Sequence, residues 1–378
     1  MFDYETLKLI WWLLIGILLI GFAVTDGMDM GVGNLLLFIG KTDDDRRVMI
    51  NTVGPHWDGN QVWLVTAGGA IFAAWPAVYA AAFSGFYFAM LLALFALFFR
   101  PVGFDYRSKL DKPSWRRSWD VALFIGSFVP ALVFGIAFGN LLQGVPFHLD
   151  EFLRPFYTGS FLALLNPFAL LAGVLSVAML TMHGATWLQM RTLDELAERS
   201  RSAARRMALL SVLLFAAGGV WVALGIDGYR VVDMPPPGEL TSPLHKTVEI
   251  ASSAWFDNYR ARPWTLLFPL LGFAGMIGAW LFSGSGRSAL AFFSSSLAIV
   301  GVIMTAGVSM FPFVMPSSSN PSHSFIAWDA VSSPLTLTVM FWAAAIFVPI
   351  IIAYTTWNYY KMWGKVSVDE IKNRFAAY

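Results

Sequence analysis

Leu7-Lys8-Leu9-Ile10-Trp11-Trp12-Leu13-Leu14-Ile15-Gly16-Ile17-Leu18-Leu19-Ile20-Gly21-Phe22-Ala23-Val24 is an apolar run broken only by Lys8 near its start. It passes without a turn signal into Thr25-Asp26-Gly27-Met28-Asp29-Met30-Gly31. A helix of about 20 apolar residues crosses the hydrocarbon core of a bilayer. An ionised aspartate deep in that core costs about 3 kcal/mol on insertion scales, and the stretch before Asp26 is apolar enough to carry two. The run lacks a basic leader and a small-residue cleavage site, so it reads as a retained span near 7–30.

The same reading places further spans near 57–75, 77–99, 119–142, 161–188, 207–225, 263–282, 288–313 and 335–358. Nine crossings predict an all-α polytopic membrane protein forming a single integral membrane domain over 1–378. Composition agrees: 57% of residues are hydrophobic, 13% are charged, and mean hydropathy is +0.63. Cysteine is absent, which excludes disulfides, iron–sulfur ligation, thiolate metal sites, covalent haem attachment through sulfur and thiol catalysis. A net charge of +1 gives no sign of a nucleic-acid partner.

An odd number of spans puts the termini on opposite sides. Nineteen of the 25 basic residues fall near 39–55, 100–118, 189–206 and 283–287 and in the tail from 359. Basic residues collect on the cytoplasmic side, so the C-terminus is expected in the cytoplasm and the N-terminus in the periplasm of a bacterial inner membrane. The segment 226–262, with Pro235-Pro236-Pro237-Gly238, reads as an extracytoplasmic loop. Trp75-Pro76 marks a tight turn between the second and third spans, because proline lacks a backbone donor and restricts its predecessor.

Polar residues stand out against this background. Asp26 and Asp29, three apart, lie on neighbouring faces of one helix, close enough to share a proton or a cation if buried; if the span ends near Val24, both are merely interfacial. Pro55-His56-Trp57-Asp58-Gly59-Asn60-Gln61-Val62-Trp63 opens the second span. A carboxylate in a first helical turn is ordinary electrostatics, which accounts for Asp58. It leaves unexplained a strip in which His56 stacks with Asn60 and Asp58 with Gln61. These residues are proton-path candidates. Arg100, after the apolar Leu97-Phe98-Phe99, is either a snorkelling interfacial cation or the counter-charge for one of the aspartates. His183 is the one histidine well inside a span, a weak candidate for a haem ligand and more simply a helix–helix hydrogen-bonding group. His148, His245 and His323 fall in outer loops. With no second intramembrane histidine to pair with it, no haem site and no metal site is expected here.

Taken in order, the strings at 10–14, 25–31, 55–63, 81–87, 98–107, 138–147, 225–229, 311–318 and 328–329 resemble subunit II of the cytochrome bd ubiquinol oxidases, bacterial terminal oxidases of the respiratory chain. The resemblance spans the chain and is weakest over 230–262. It implies two four-helix bundles plus one peripheral helix, paired with a homologous subunit I that holds two haems b and one haem d. It further implies a small single-span accessory subunit, quinol as electron donor, and proton uptake from the cytoplasm that generates proton motive force. Subunit II itself is expected to carry no haem, possesses no catalytic residue of its own by this reading, and is a candidate to bind a structural quinone and to supply Trp63 to an O₂ entry. Intramembrane carboxylates also mark secondary ion transporters, and a chain without haem ligands also suits a purely structural scaffold for subunit I.

Overall fold

The computed structural model describes residues 2–235 and 242–373. Residues 236–241 of the proline-rich stretch, and Tyr378 at the C-terminus, lie outside the described residues.

The first helix, α1 (Tyr4–Ile39), is capped by the Asp3 carboxylate, which accepts from the Thr6 amide at 2.8 Å. It runs 36 residues without a break, so it does not end at Val24: Asp26 and Asp29 are interior, 0% and 2% exposed. A short amphipathic helix, α2 (Asp43–Val53), follows, its start fixed by a reciprocal pairing of Thr42 and Asp45. Next come α3 (Trp57–Ala74), α4 (Pro76–Gly85), α5 (Tyr87–Leu97), α6 (Phe99–Tyr106) and α7 (Pro113–Gln143). The second half holds α8 (Pro167–Arg191), α9 (Asp194–Gly225), the short α10 (Asp257–Ala261), α11 (Leu267–Gly284), α12 (Ser288–Met310), α13 (Pro334–Lys361) and the terminal α14 (Val368–Asn373).

Eight helical segments among the described residues are long and apolar enough to cross a membrane. The segment read as the second span is α3, an 18-residue helix that falls outside the eight, because Asp58, Asn60 and Gln61 crowd its first turn. The segment read as one span near 77–99 is divided. Helix α4 stops at Gly85, a poor helix residue, and the membrane-length segment is Tyr87–Lys109. That segment is itself kinked at Phe98, where Pro101 has no N–H to offer the Leu97 carbonyl.

Helices α8, α9, α11 and α12 pack as a closed four-helix ring, while α1, α3, α5 and α7 form a second, looser group, joined to the first through α1 and α7 against α8. Helix α13 stays peripheral, touching α1 and α3, with only 6% of its apolar window buried. The join is unusually close. A Cβ on Gly31 would overlap the Leu180 carbonyl oxygen, and one on Gly184 would overlap the Gly31 carbonyl carbon. Only glycine permits this backbone-to-backbone crossing of α1 on α8.

The connections opposite the basic loops are more ordered than their sequences suggest. Strands β1 (Phe147–Leu149) and β2 (Pro155–Tyr157) pair antiparallel, as do β3 (Gly228–Asp233) with β4 (Thr247–Ala251) and β5 (Phe313–Met315) with β6 (Phe325–Ile326). Among its described residues, the loop 226–262 holds the β3–β4 hairpin followed by short helical turns; the strand alternation is too brief for a period to show. A buried ion pair, Lys246 Nζ to Asp329 Oδ2 at 2.6 Å, ties it to the 314–334 connection. Burial pushes the Asp329 carboxyl up and the Lys246 ammonium down, against the stabilising pull of each on the other.

Candidate functional site

The α1–α8 crossing fixes the rotation of α1, and with it Asp26 and Asp29. Arg100, carried inward by the turn that follows the Phe98 kink, grips Asp26 with both ends of its guanidinium: Nη1 donates to Oδ2 at 2.8 Å and Nη2 to Oδ1 at 2.6 Å. Arg100 is 1% exposed. Paired, planar contacts of this kind are the strong form of a charge-assisted hydrogen bond. Asp29 lies farther off, its Oδ2 3.8 Å from Arg100 Nη2. Among the described residues, the one full cation in contact is therefore committed to Asp26.

Asp29 is held instead by Asn60, whose Nδ2 donates to Asp29 Oδ2 at 2.8 Å. The same amide lies 3.2 Å from His56 Nδ1, so its two hydrogens serve a carboxylate and an imidazole acceptor. Asn60 Oδ1 in turn accepts from the Tyr359 hydroxyl at 2.7 Å, reaching in from α13. His56, 5% exposed, is walled by Trp187 and Tyr359, with ring centroids at 5.6 and 4.6 Å. Three buried polar atoms have no hydrogen-bond partner here among the described residues: Asp29 Oδ1, 3.9 Å from His56 Nδ1, His56 Nε2, and Arg100 Nε. The result is a connected polar chain in an apolar interior, Tyr359–Asn60–Asp29 with His56 beside it and the Asp26–Arg100 pair behind it. Such a chain can relay a proton, since each member both donates and accepts or can take up charge.

Of the residues singled out from the sequence, Asp26, Asp29, Arg100, His56 and Asn60 are brought together. Asp58 is exposed on the first turn of α3, and Gln61 is half-buried beside it; both stand outside the cluster. Trp63 is half-buried, its indole seated on Gly21, where a Cβ would fall 2.6 Å from the ring. His183 is fully buried, but both ring nitrogens are engaged: Nδ1 with Ser295 Oγ at 2.7 Å and Nε2 with the Val24 carbonyl at 2.9 Å. That environment fits a helix–helix hydrogen bond. His56 is a buried histidine that the sequence placed only at a helix mouth.

Sequence reasoning missed Tyr359, one of several aromatics closing α13, and Trp187, since nothing in either neighbourhood separates them from interfacial rings. It also missed a second buried ion cluster, in which Asp120 accepts from Arg107 Nε at 2.5 Å and Arg46 Nη1 at 3.0 Å, while Arg107 Nη2 reaches Asp43 at 2.8 Å. Those contacts pin α2 under α6 and α7. A large apolar cavity of about 640 Å³ lies elsewhere, among α1, α7, α8, α9, α11 and α12. Phe22, Phe134 and Phe215 line it, with Tyr259 and Ser309 hydroxyls at one end.

A multi-pass helical membrane protein with a buried carboxylate–arginine–amide cluster is the class defined by fold and site. Residues 7–362 match the family profile of cytochrome bd terminal oxidase subunit II. The chain is 57% identical over 372 residues to the cytochrome bd-I ubiquinol oxidase subunit 2 of Escherichia coli (strain K12), covering 98% of each. It is 54% identical to the probable cytochrome oxidase subunit 2 of Haemophilus influenzae, covering all of both, and 33% identical to the cytochrome bd ubiquinol oxidase subunit 2 of Bacillus subtilis, covering 96% of this chain and 97% of that one. Its fold is that of a chain in the bd oxidase from Geobacillus thermodenitrificans, with a TM-score of 0.69 over 92% of this chain and 96% of that one at 16% identity. The chain belongs to the cytochrome bd oxidase subunit II family. It is a bacterial multi-pass membrane subunit of a haem-containing terminal oxidase and works beside a partner subunit I.

Proposed function

We propose that this chain is the subunit of a bd-type quinol:O₂ oxidoreductase that carries protons toward a haem site in subunit I, without holding haem itself. The supporting observation is Asp29: it is buried, hydrogen-bonded to an amide that links it to Tyr359, and lacks a cation of its own because Arg100 is committed to Asp26. A carboxylate in that position can take up a proton and pass it on, whereas Asp26, locked to Arg100, serves as a fixed counter-charge.

Asp58 and Gln61 stand at the mouth, at the start of α3, where they collect protons from the cytoplasm and deliver them through His56 and Asn60. In this reading the basic loops face the cytoplasm and the three hairpins the periplasm, and electron flow from quinol to O₂ builds proton motive force. Two haems b and one haem d sit in subunit I; a small single-span subunit completes the complex. The poorly buried α13 faces subunit I, which puts Tyr359 at the boundary between subunits. Trp63 lines an O₂ entry. The apolar cavity, with the bonded Tyr259 and Ser309 hydroxyls at one end, suits a structural quinone whose isoprenoid tail lies among the phenylalanines.

The test is the purified complex. Its reduced-minus-oxidised spectrum should show haems b and d, and removing this chain should abolish quinol-dependent O₂ uptake. Ion flux through the chain reconstituted alone would favour a secondary transporter. Full activity with the buried cluster neutralised would favour a scaffold for subunit I.

A further inference from the structure

Between α9 and α11, at the end of the ring remote from the hairpins, lies a cavity of about 470 Å³ lined by Arg201, Ser202, Arg205, Arg206, Trp280 and Gly284, with Glu198 and Leu209 at its margins. Its charges are unbalanced. Arg201 is paired with Glu198 at 2.7 Å, but Arg205 and Arg206, both exposed, have no carboxylate partner among the described residues. Arg205 lies over the Trp280 ring, 5.0 Å from its centroid, and across the backbone at Gly284, where a Cβ would sit 3.4 Å from its Nε. A guanidinium stacked on an aromatic face can keep its N–H edge free for an anion.

The depth of this cavity identifies what meets it. Arg205 is twenty residues from the Gly225 end of α9, a rise of about 30 Å, which is the thickness of the hydrocarbon core. The arginines therefore stand at head-group level, with Trp280 in the position interfacial tryptophans take. Below them the surface is greasy: Leu209 and Leu213 one and two turns down α9 are 55% and 59% exposed, and Ile277 beside Trp280 on α11 is 46% exposed. Helix α9 has only 11% of its apolar window buried. A free anion would use the arginines and ignore the leucines. An anionic phospholipid uses both, since basic pockets between spans bind phosphate head groups.

We infer that this cavity is a binding site for the head group of an anionic phospholipid, its phosphate on Arg205 and Arg206 and its acyl chains along Leu209, Leu213 and Ile277. The site lies on the opposite side of the four-helix ring from α13 and uses none of the residues of the proton chain.

The experiment uses the delipidated oxidase complex, with native mass spectrometry to count bound lipid as phosphatidylglycerol, phosphatidylcholine or inorganic phosphate is added. Wild type should bind phosphatidylglycerol in preference to phosphatidylcholine, and excess inorganic phosphate should not displace it. The double variant Arg205→Gln/Arg206→Gln, checked for normal haem content, should bind phosphatidylglycerol about tenfold more weakly with phosphatidylcholine unchanged. Equal binding by wild type and variant overturns the site, and displacement by phosphate makes it a site for free anions. Should the variant fail to assemble, a photoactivatable phosphatidylglycerol on the wild-type complex decides: crosslinks within 202–213 or 277–284 support the site, and crosslinks confined elsewhere overturn it.

Discussion

Asn60 joins Asp29 to Tyr359, donating to the carboxylate at 2.8 Å through Nδ2 and accepting from the phenol at 2.7 Å through Oδ1. A single amide thus couples α1, α3 and α13. Asn60→Ala should leave a buried carboxylate oxygen and a buried hydroxyl without partners, at about 1–3 kcal/mol each. We expect quinol oxidase turnover to fall severalfold with haem content intact; Tyr359→Phe, which removes one hydroxyl and leaves Asn60 on Asp29, should fall less. O₂-electrode rates normalised to haem absorbance make the comparison.

Arg100 and Asp26 form a buried pair, and breaking one side of such a pair costs about 3–5 kcal/mol because the other charge is stranded. Arg100→Gln should therefore reduce the amount of assembled complex in membranes. The double variant Asp26→Asn/Arg100→Gln, which strands neither charge, should recover much of it. Equal loss in the single and double variants, measured by haem absorbance per milligram of membrane protein, would point to a role beyond charge balance.

Gly31 lies against the backbone of α8, while Gly16, on the same helix, has open space where a side-chain methyl group would go, with nothing within 4 Å. Gly31→Ala should force α1 off α8 and lower complex yield sharply. Gly16→Ala should be silent or slightly stabilising, since alanine is the better helix residue by about 1 kcal/mol. Blotting of detergent-extracted membranes separates the two.

The proposed orientation puts a reporter fused after Tyr378 in the cytoplasm and one inserted within 235–243 in the periplasm. An alkaline phosphatase fusion should be active only at the second position. Activity at the C-terminal position would reverse the topology and place the Asp29 chain on the wrong side for cytoplasmic proton uptake.

The helical membrane architecture was readable because long apolar runs have few other solutions. Asp26, Asp29 and Arg100 were readable for the related reason that charge in such runs is expensive and needs a partner. What the sequence could not reveal was rotation and kinking. Asp58 and Asn60 are two residues apart on α3, yet Asn60 faces α1 and Asp58 faces outward; both are polar, so no pattern of hydrophobicity tells them apart. Tyr359 belongs to a cluster of interfacial aromatics, and only the packing of α13 on α3 sets it apart. The division of 77–99 turned on Gly85 and Pro101, signals present in the sequence but outweighed by an apolar run that reads as continuous. The three hairpins have strands of two to six residues, too short for a period-two pattern to register.

In the proposed route Asp58 stands at the mouth rather than inside, so replacing it should slow proton delivery without closing that route. Asp58→Asn keeps the shape and the helix-start chemistry and should slow turnover by a few-fold, less than Asp29→Asn. A rate equal to wild type would reduce Asp58 to an ordinary first-turn carboxylate, a contribution of about 0.3–1 kcal/mol to the helix.

Asp29 is the carboxylate proposed to take up and release protons, and steady-state quinol-dependent O₂ uptake by the Asp29→Asn complex is the decisive measurement. Asparagine fills the same space and still accepts from Asn60, but it carries no exchangeable carboxyl proton. Turnover at neutral pH should fall at least about tenfold below wild type, an increase of about 1.4 kcal/mol in the barrier, with haem content normal and much of the rate retained in Asp29→Glu. Turnover of the asparagine variant within about twofold of wild type at full haem loading would contradict that role, and would leave the buried cluster a structural brace.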